Sequence, residues 1–213
     1  RQIGKVAVLA LGYQGSVGAF QALAKAYGVA MSEREVLNIV SAWREANQWA
    51  VKMWSGLEGA AKRAMRNPGK ELTYGKITYL FDGTHLWYAL PSGRILCYPF
   101  AKMGEDGVSY AKAAWKPAAG ASEWPRAQLY GGLQCENTVQ AVANDILRYA
   151  LRELDDLYYD IVMHVHDEIV VEVDESKADQ CLKDMTRIMT TPPSWAEGLP
   201  LAVESSTLTR YGK

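Results

Sequence analysis

Ile161-Val162-Met163-His164-Val165-His166-Asp167-Glu168-Ile169-Val170-Val171-Glu172-Val173 sets two Val- and Ile-rich arms around a short charged centre. β-Branched residues favour extended backbone, and the polar stretch between the arms is too short for anything but a tight connection, so the spacing predicts a β-hairpin. That geometry pushes Asp167 and Glu168 outward together. Adjacent carboxylates on a rigid turn, with a histidine alongside, are oxygen donors that a hard cation such as magnesium takes into its ligand set. An acidic hairpin tip is equally an ordinary solvated turn. His164 stands two residues before His166, which predicts that both share one face of the strand. A zinc site built on histidine has little material, because His85 is the only other histidine.

Outward from the hairpin, a chain of 213 residues with 49% hydrophobic content can bury a substantial core as one large domain or two small ones. No apolar run approaches the length needed to span a bilayer, and no signal peptide is evident, so a cytoplasmic setting and no membrane partner are expected. Cys97, Cys135 and Cys181 are odd in number and widely separated, suggesting neither a disulfide frame nor a zinc cluster. The net charge of −1 hides an asymmetry: residues 1–67 carry +5 and residues 68–213 carry −6. One part is suited to meeting phosphates and the other to holding cations.

Residues 1–67 have a helical pattern, with apolar residues returning at three and four, as in Val36, Leu37, Val40, Trp43 and then Val51, Trp54, Leu57. Gly12, Gly15 and Gly18 are expected to end or bend the first helix. Ser32, with Glu35 three residues on, reads as a capping box that opens another. Near Pro68-Gly69 the period changes, and 76–81, 85–90, 94–98 and 107–113 read as short strands. A helix is expected over 136–154 with Val139, Val142, Ala143, Ile146 and Ala150 as its apolar stripe, a second over 176–190 ended by Pro192-Pro193, and a last strand over 201–204. The fold class that follows is α+β, an antiparallel sheet with packed helices plus an all-helical lobe.

Arg1, Lys5, Leu9 and Tyr13 recur every fourth residue, and each step advances about 40° around an α-helix, so all four are expected on one stripe. Arginine offers forked hydrogen bonds to phosphate oxygens and lysine a compact charge, so the first two turns could hold a polyphosphate while Leu9 and Tyr13 meet sugar and base. A solvated basic face fits the same pattern.

The order R-x3-K-x7-Y-x-G at Arg1, Lys5, Tyr13 and Gly15, followed much later by a hairpin bearing H-D-E, resembles the last two of three signature motifs of family A DNA polymerases. Trp43-Arg44-Glu45-Ala46-Asn47, Leu90-Pro91-Ser92-Gly93-Arg94, Tyr130-Gly131-Gly132, Glu136-Asn137-Thr138-Val139-Gln140-Ala141 and the ending Arg210-Tyr211-Gly212-Lys213 resemble the bacteriophage branch. The resemblance covers nearly the whole chain in the expected order. It implies fingers over 1–67, a palm over 68–213, and template-directed addition of deoxynucleotides to a primer 3'-hydroxyl. Arg1 and Lys5 would lie on the helix that grips the incoming triphosphate, with Lys5 also stabilising the leaving group. Leu9 would meet the nucleotide, and Tyr13 would pack near the templating base. Gln140 and His166 would lie near the primer terminus and its minor groove. Asp167, with Glu168 beside it, would bind catalytic magnesium, two ions serving the complete enzyme.

Three departures from the family pattern shape the expectation. Leu9 stands where the family commonly has Phe or Tyr, and Glu136 occupies the spacing where bacterial members have Asn. The first signature motif, a D-Y-S-x-x-E strand supplying the other metal-binding aspartate, is absent from the sequence. The chain is therefore expected to show little or no polymerase activity alone and to need an upstream polymerase segment or split partner chain carrying that motif and the thumb. Primer-template DNA and deoxynucleoside triphosphates are the other expected partners. The alternative is a non-catalytic nucleic-acid-binding remnant whose basic helix contacts phosphate backbone without reading sequence.

Overall fold

The computed structural model describes residues 1–113 and 124–212. They form an α+β fold of helices and antiparallel sheets, divided into two compact units, Arg1–Val139 and Gln140–Lys213. No helix among the described residues is long and apolar enough to cross a membrane. Cys97, Cys135 and Cys181 form no disulfide. Lys213, the last residue of the terminal resemblance, lies outside the described residues.

The first unit begins with four helices, α1 (Gln2–Leu11), α2 (Val17–Ala26), α3 (Glu33–Ala46) and α4 (Gln48–Arg66). α1, α2 and α3 close around Val6, Leu11, Phe20, Val36 and Val40, all buried. Each such side chain stabilises the fold by about 1.5–3 kcal/mol on leaving water. The expected capping box opens α3: the Ser32 hydroxyl accepts from the Glu35 N–H at 3.4 Å, and the Glu35 carboxylate accepts from the Ser32 N–H at 2.8 Å. The Ser32 hydroxyl also donates to that carboxylate at 2.6 Å, and this bond, with the one from the Ser32 N–H, holds the Glu35 carboxyl below the usual range. Gly12 does cap α1, whereas Gly18 lies inside α2, where no side chain competes for its space.

α4 packs against a four-stranded antiparallel sheet of β1 (Leu72–Tyr74), β2 (Ile77–Phe81), β3 (Leu86–Ala89) and β4 (Ile95–Tyr98), in that order. Alternation puts Ile77, Tyr79 and Phe81 of β2 inside with Leu86 and Tyr88 of β3. A second sheet pairs β5 (Lys102–Gly104), β6 (Gly107–Ala111) and β7 (Arg126–Leu129). The sequence pattern gave no sign of β1, β5 and β7, which are only three or four residues long.

The β2–β3 turn is organised by Asp82, whose carboxylate accepts from the backbone N–H groups of Thr84 and His85 and from the Trp87 indole. Those donors, the His85 amide foremost, lower its pKa to about 2. Because the folded value lies below the unfolded one, the stabilisation is present above about pH 4 and is lost as pH falls through about 2. The melting-temperature advantage of the parent over Asp82→Asn is expected to shrink between pH 5 and pH 2 in thermal melts. An advantage constant across that window would contradict the assignment.

α5 (Gly131–Asp155) runs through both units. Its buried face differs from the expected apolar stripe: Ala150 is buried, but Val139 and Ala143 are exposed, and Gln134, Cys135 and Thr138 go inside instead. Two of its polar side chains meet phenols of the sheet, while Gln134 Nε2 and Thr138 Oγ1 are buried without a hydrogen-bond partner among the described residues. The Tyr79 hydroxyl donates to Gln134 Oε1 at 2.9 Å, and Asn137 Nδ2 donates to the Tyr98 hydroxyl at 3.0 Å. Burial pushes both phenols far above their ordinary range, so they stay protonated at all physiological pH.

In the second unit β8 (Asp160–Val165) and β9 (Glu168–Glu172) form the expected hairpin, followed by a short 3-10 turn and α6 (Ala178–Thr190). Ile161, Ile169 and Val171 of the hairpin pack with Leu147, Ala150 and Leu154 of α5 and Ile188 of α6. The Tyr159 hydroxyl donates to Asp184 at 2.8 Å, tying the entry of β8 to α6. Residues 201–204 alternate half-buried and exposed as a strand would, but they pair with no ladder among the described residues, so the expected last strand is an extended segment. A ladder needs a partner edge as well as the right residues.

Candidate functional site

The hairpin turn is tighter than its polar centre suggested. Val165 pairs with Glu168, which leaves His166 and Asp167 as a two-residue connection. His166 has φ 55°, the only left-handed backbone in the turn, which is the φ pattern of a type II′ connection. Glycine usually occupies that position, and histidine there carries strain that the flanking ladder overcomes. Because His166 lies in the turn, strand parity does not relate it to His164, which pairs with Ile169 in β8. One further irregularity precedes the turn, a bulge at Val162 between the Ile161–Val171 and Met163–Val170 pairs.

His164, His166 and Asp167 are exposed and Glu168 is half-buried at the start of β9. The Tyr211 hydroxyl donates to Glu168 Oε2 at 3.2 Å. The two carboxylates are adjacent oxygen donors on a fixed turn, which suits them to part of a magnesium ligand set. Six-coordinate magnesium needs more donors than these two residues provide, and no group of three or more His, Cys, Asp or Glu side chains among the described residues could hold a metal. The hairpin is thus a platform that fits the ion in kind and leaves coordination places for other donors.

The basic residues lie in the first unit. Arg1 is the N-cap of α1, and its carbonyl accepts from the Lys5 N–H at 3.1 Å. Lys5 and Leu9 lie on the side of α1 away from buried Val6, Ala7 and Leu11, and Leu9 is 52% exposed. Lys5 Nζ lies 5.2 Å from the Tyr27 ring centroid, a cation–π contact that sequence spacing did not reveal.

Tyr13 does not continue the helical stripe. α1 ends at Leu11, with the Gly12 N–H bonded to the Val8 carbonyl, and Gln14 takes a left-handed φ of 68°. The chain turns because three remote groups hold it there. The Trp54 indole donates to the Gly12 carbonyl, Arg44 Nη2 donates to the Gly15 carbonyl, and the Gly132 N–H donates to Gln14 Oε1 at 2.7 Å. Trp54 is itself stacked on Trp43 with centroids 6.0 Å apart. Tyr13 is therefore carried, half-buried, on a clamped turn rather than on a free helix end.

Gln140 is exposed on α5, one residue after exposed Val139. Asn137, three residues earlier, is occupied by Tyr98. His85, the histidine outside the hairpin, packs at a tilt against the rings of Trp87 and Phe100.

No family model matches the chain. It is similar to a curated protein named DNA polymerase from Bacillus phage SP02. The two are 42% identical over 217 aligned residues, which include the whole of this chain and 33% of the phage protein. The chain spans about a third of the length of that relative.

Proposed function

We propose that the chain is the fingers and most of the palm of a family A DNA polymerase, catalytic when an upstream segment supplies the D-Y-S-x-x-E strand and the thumb. The observation that carries this reading is the end-to-end likeness to a phage protein named DNA polymerase in a chain whose H-D-E segment forms an exposed two-residue hairpin turn. The reaction is attack of a primer 3'-hydroxyl on the α-phosphorus of a deoxynucleoside triphosphate, with release of pyrophosphate.

Magnesium, when bound by Asp167, Glu168 and the upstream carboxylate, supplies charge stabilisation for the attacking and departing oxygens. The chain's own residues do the rest. Arg1 and Lys5, exposed at the start of α1, bind the β- and γ-phosphates, Arg1 through forked hydrogen bonds and Lys5 as a compact charge that offsets the negative charge of the leaving pyrophosphate. Leu9 offers an apolar contact to the nucleotide, weaker than stacking on an aromatic ring. Tyr13, fixed on its clamped turn, supports the templating base, while Gln140 and His166 contact the primer side of the duplex.

Primer extension by the chain together with its upstream segment tests the reading. Magnesium-dependent extension is expected from the pair, and the absence of any extended primer would contradict it. A bare backbone binder would instead hold DNA without a divalent ion and release it steeply with salt. Within the polymerase reading, Lys5→Ala is expected to raise the KM for deoxynucleotides about tenfold, equivalent to about 1.4 kcal/mol, while changing template affinity less than about twofold. Equal losses in steady-state kinetics and in DNA-binding titrations would remove Lys5 from the triphosphate.

A further inference from the structure

The carboxyl-terminal segment does more than trail away from the last helix. After the 3-10 turn Ser194–Ala196, residues 197–212 run without helix or strand and are fastened at two places. Thr186 Oγ1 donates to the Leu182 carbonyl at 2.8 Å, and the Ser205 hydroxyl lies 3.2 Å from that same oxygen. Since the one Thr186 proton is already used, Ser205 is the donor between the two. The second fastening is Tyr211 to Glu168, 43 residues apart in sequence. Between these points the segment arches over a cavity of about 380 Å³, whose walls include Ile169, Val171, Met185, Met189, Val203 and Leu208. The segment's defined polar contact with the hairpin falls at Glu168, on the side chain next to Asp167.

We propose that Tyr211 is a positioning residue for the hairpin metal platform: its hydroxyl fixes the Glu168 carboxylate beside Asp167 so that the pair presents oxygen donors already aligned for a divalent cation. A glutamate side chain free to sample its rotamers loses that freedom on binding a cation. Bonding Oε2 in advance removes part of the cost, which is the general advantage of a pre-ordered ligand. Aspartate, one methylene shorter and held by the turn, needs no such tether. The proposal rests on the polymerase reading for its biological use but not for its test.

Tyr211→Phe removes the hydroxyl and keeps the ring. Mn2+ titration of the full chain, followed by electron paramagnetic resonance, is expected to show three- to fivefold weaker binding in this variant, with an unchanged melting temperature. In the Glu168→Gln background the same change is expected to have no further effect. Unaltered Mn2+ affinity in Tyr211→Phe would overturn the proposal, as would an equal loss in the Glu168→Gln background or no Mn2+ binding by the parent chain. When the chain is assayed with its upstream segment, Tyr211→Phe should raise the Mg2+ concentration for half-maximal extension by the same factor and leave the deoxynucleotide KM in place. A parent pair that extends no primer would contradict the polymerase reading, while the Mn2+ comparison would still decide the role of Tyr211.

Discussion

Replacing Asp167 by Ala is expected to slow primer extension by the chain and its upstream segment by roughly a thousandfold, about 4 kcal/mol of barrier. The size follows from what the carboxylate is proposed to do. A metal platform that loses one of its two carboxylates cannot fix the ion that stabilises charge on the reacting oxygens. The fold should be almost indifferent. Asp167 is exposed at the second position of the turn, and the ladder pairs on either side of it, Val165–Glu168 and His164–Ile169, do not involve it. Exposed substitutions of this kind usually move stability by less than about 0.5 kcal/mol. Thermal melts and single-nucleotide incorporation together separate the two effects. Extension surviving in Asp167→Ala would mean that the ion is held elsewhere.

The second large effect is expected at Gly132, and here it is the fold that fails. A Cβ on this residue would overlap the Tyr13 carbonyl oxygen and the Gln14 side chain. The obstacle includes backbone, which cannot rotate out of the way as a side-chain tip can. Gly132→Ala must either push the start of α5 off the 12–15 turn or break the hydrogen bond from its own N–H to Gln14. A destabilisation of about 3 kcal/mol or more is expected in urea unfolding. Gly18→Ala is the control, since nothing lies within 4 Å of the added carbon and α2 should gain up to about 1 kcal/mol in helix propensity. Similar behaviour of the two variants would contradict the close packing at Gly132.

How far the sequence could be read depended on whether the decisive partner was near or far along the chain. The hairpin was legible because both arms and the turn fall within thirteen consecutive residues, and the α3 capping box because its two residues are three apart. The stripe drawn through Arg1, Lys5, Leu9 and Tyr13 failed at its last member. The groups that enforce the turn there are Arg44, Trp54 and Gly132, between 29 and 118 residues away from their partners. The buried face of α5 was misread for the same reason. The apolar stripe passed over Gln134 and Asn137, which meet the hydroxyls of Tyr79 and Tyr98 from the sheet. The carboxylates were found by spacing, whereas Tyr27 under Lys5 and Tyr211 on Glu168 left no local signal. An aromatic residue 22 or 43 positions distant reads as core or surface until the fold brings it to the charge.

Iron-directed cleavage examines the metal platform without reference to turnover. Fe2+ replacing Mg2+ in the chain with its upstream segment, treated with ascorbate and peroxide, generates radicals that cut the backbone beside the bound ion. Cuts within residues 165–169, lost in Asp167→Ala and suppressed by excess Mg2+, are the predicted result. Cuts confined to other segments, or cuts at 165–169 that persist in Asp167→Ala, would contradict the account.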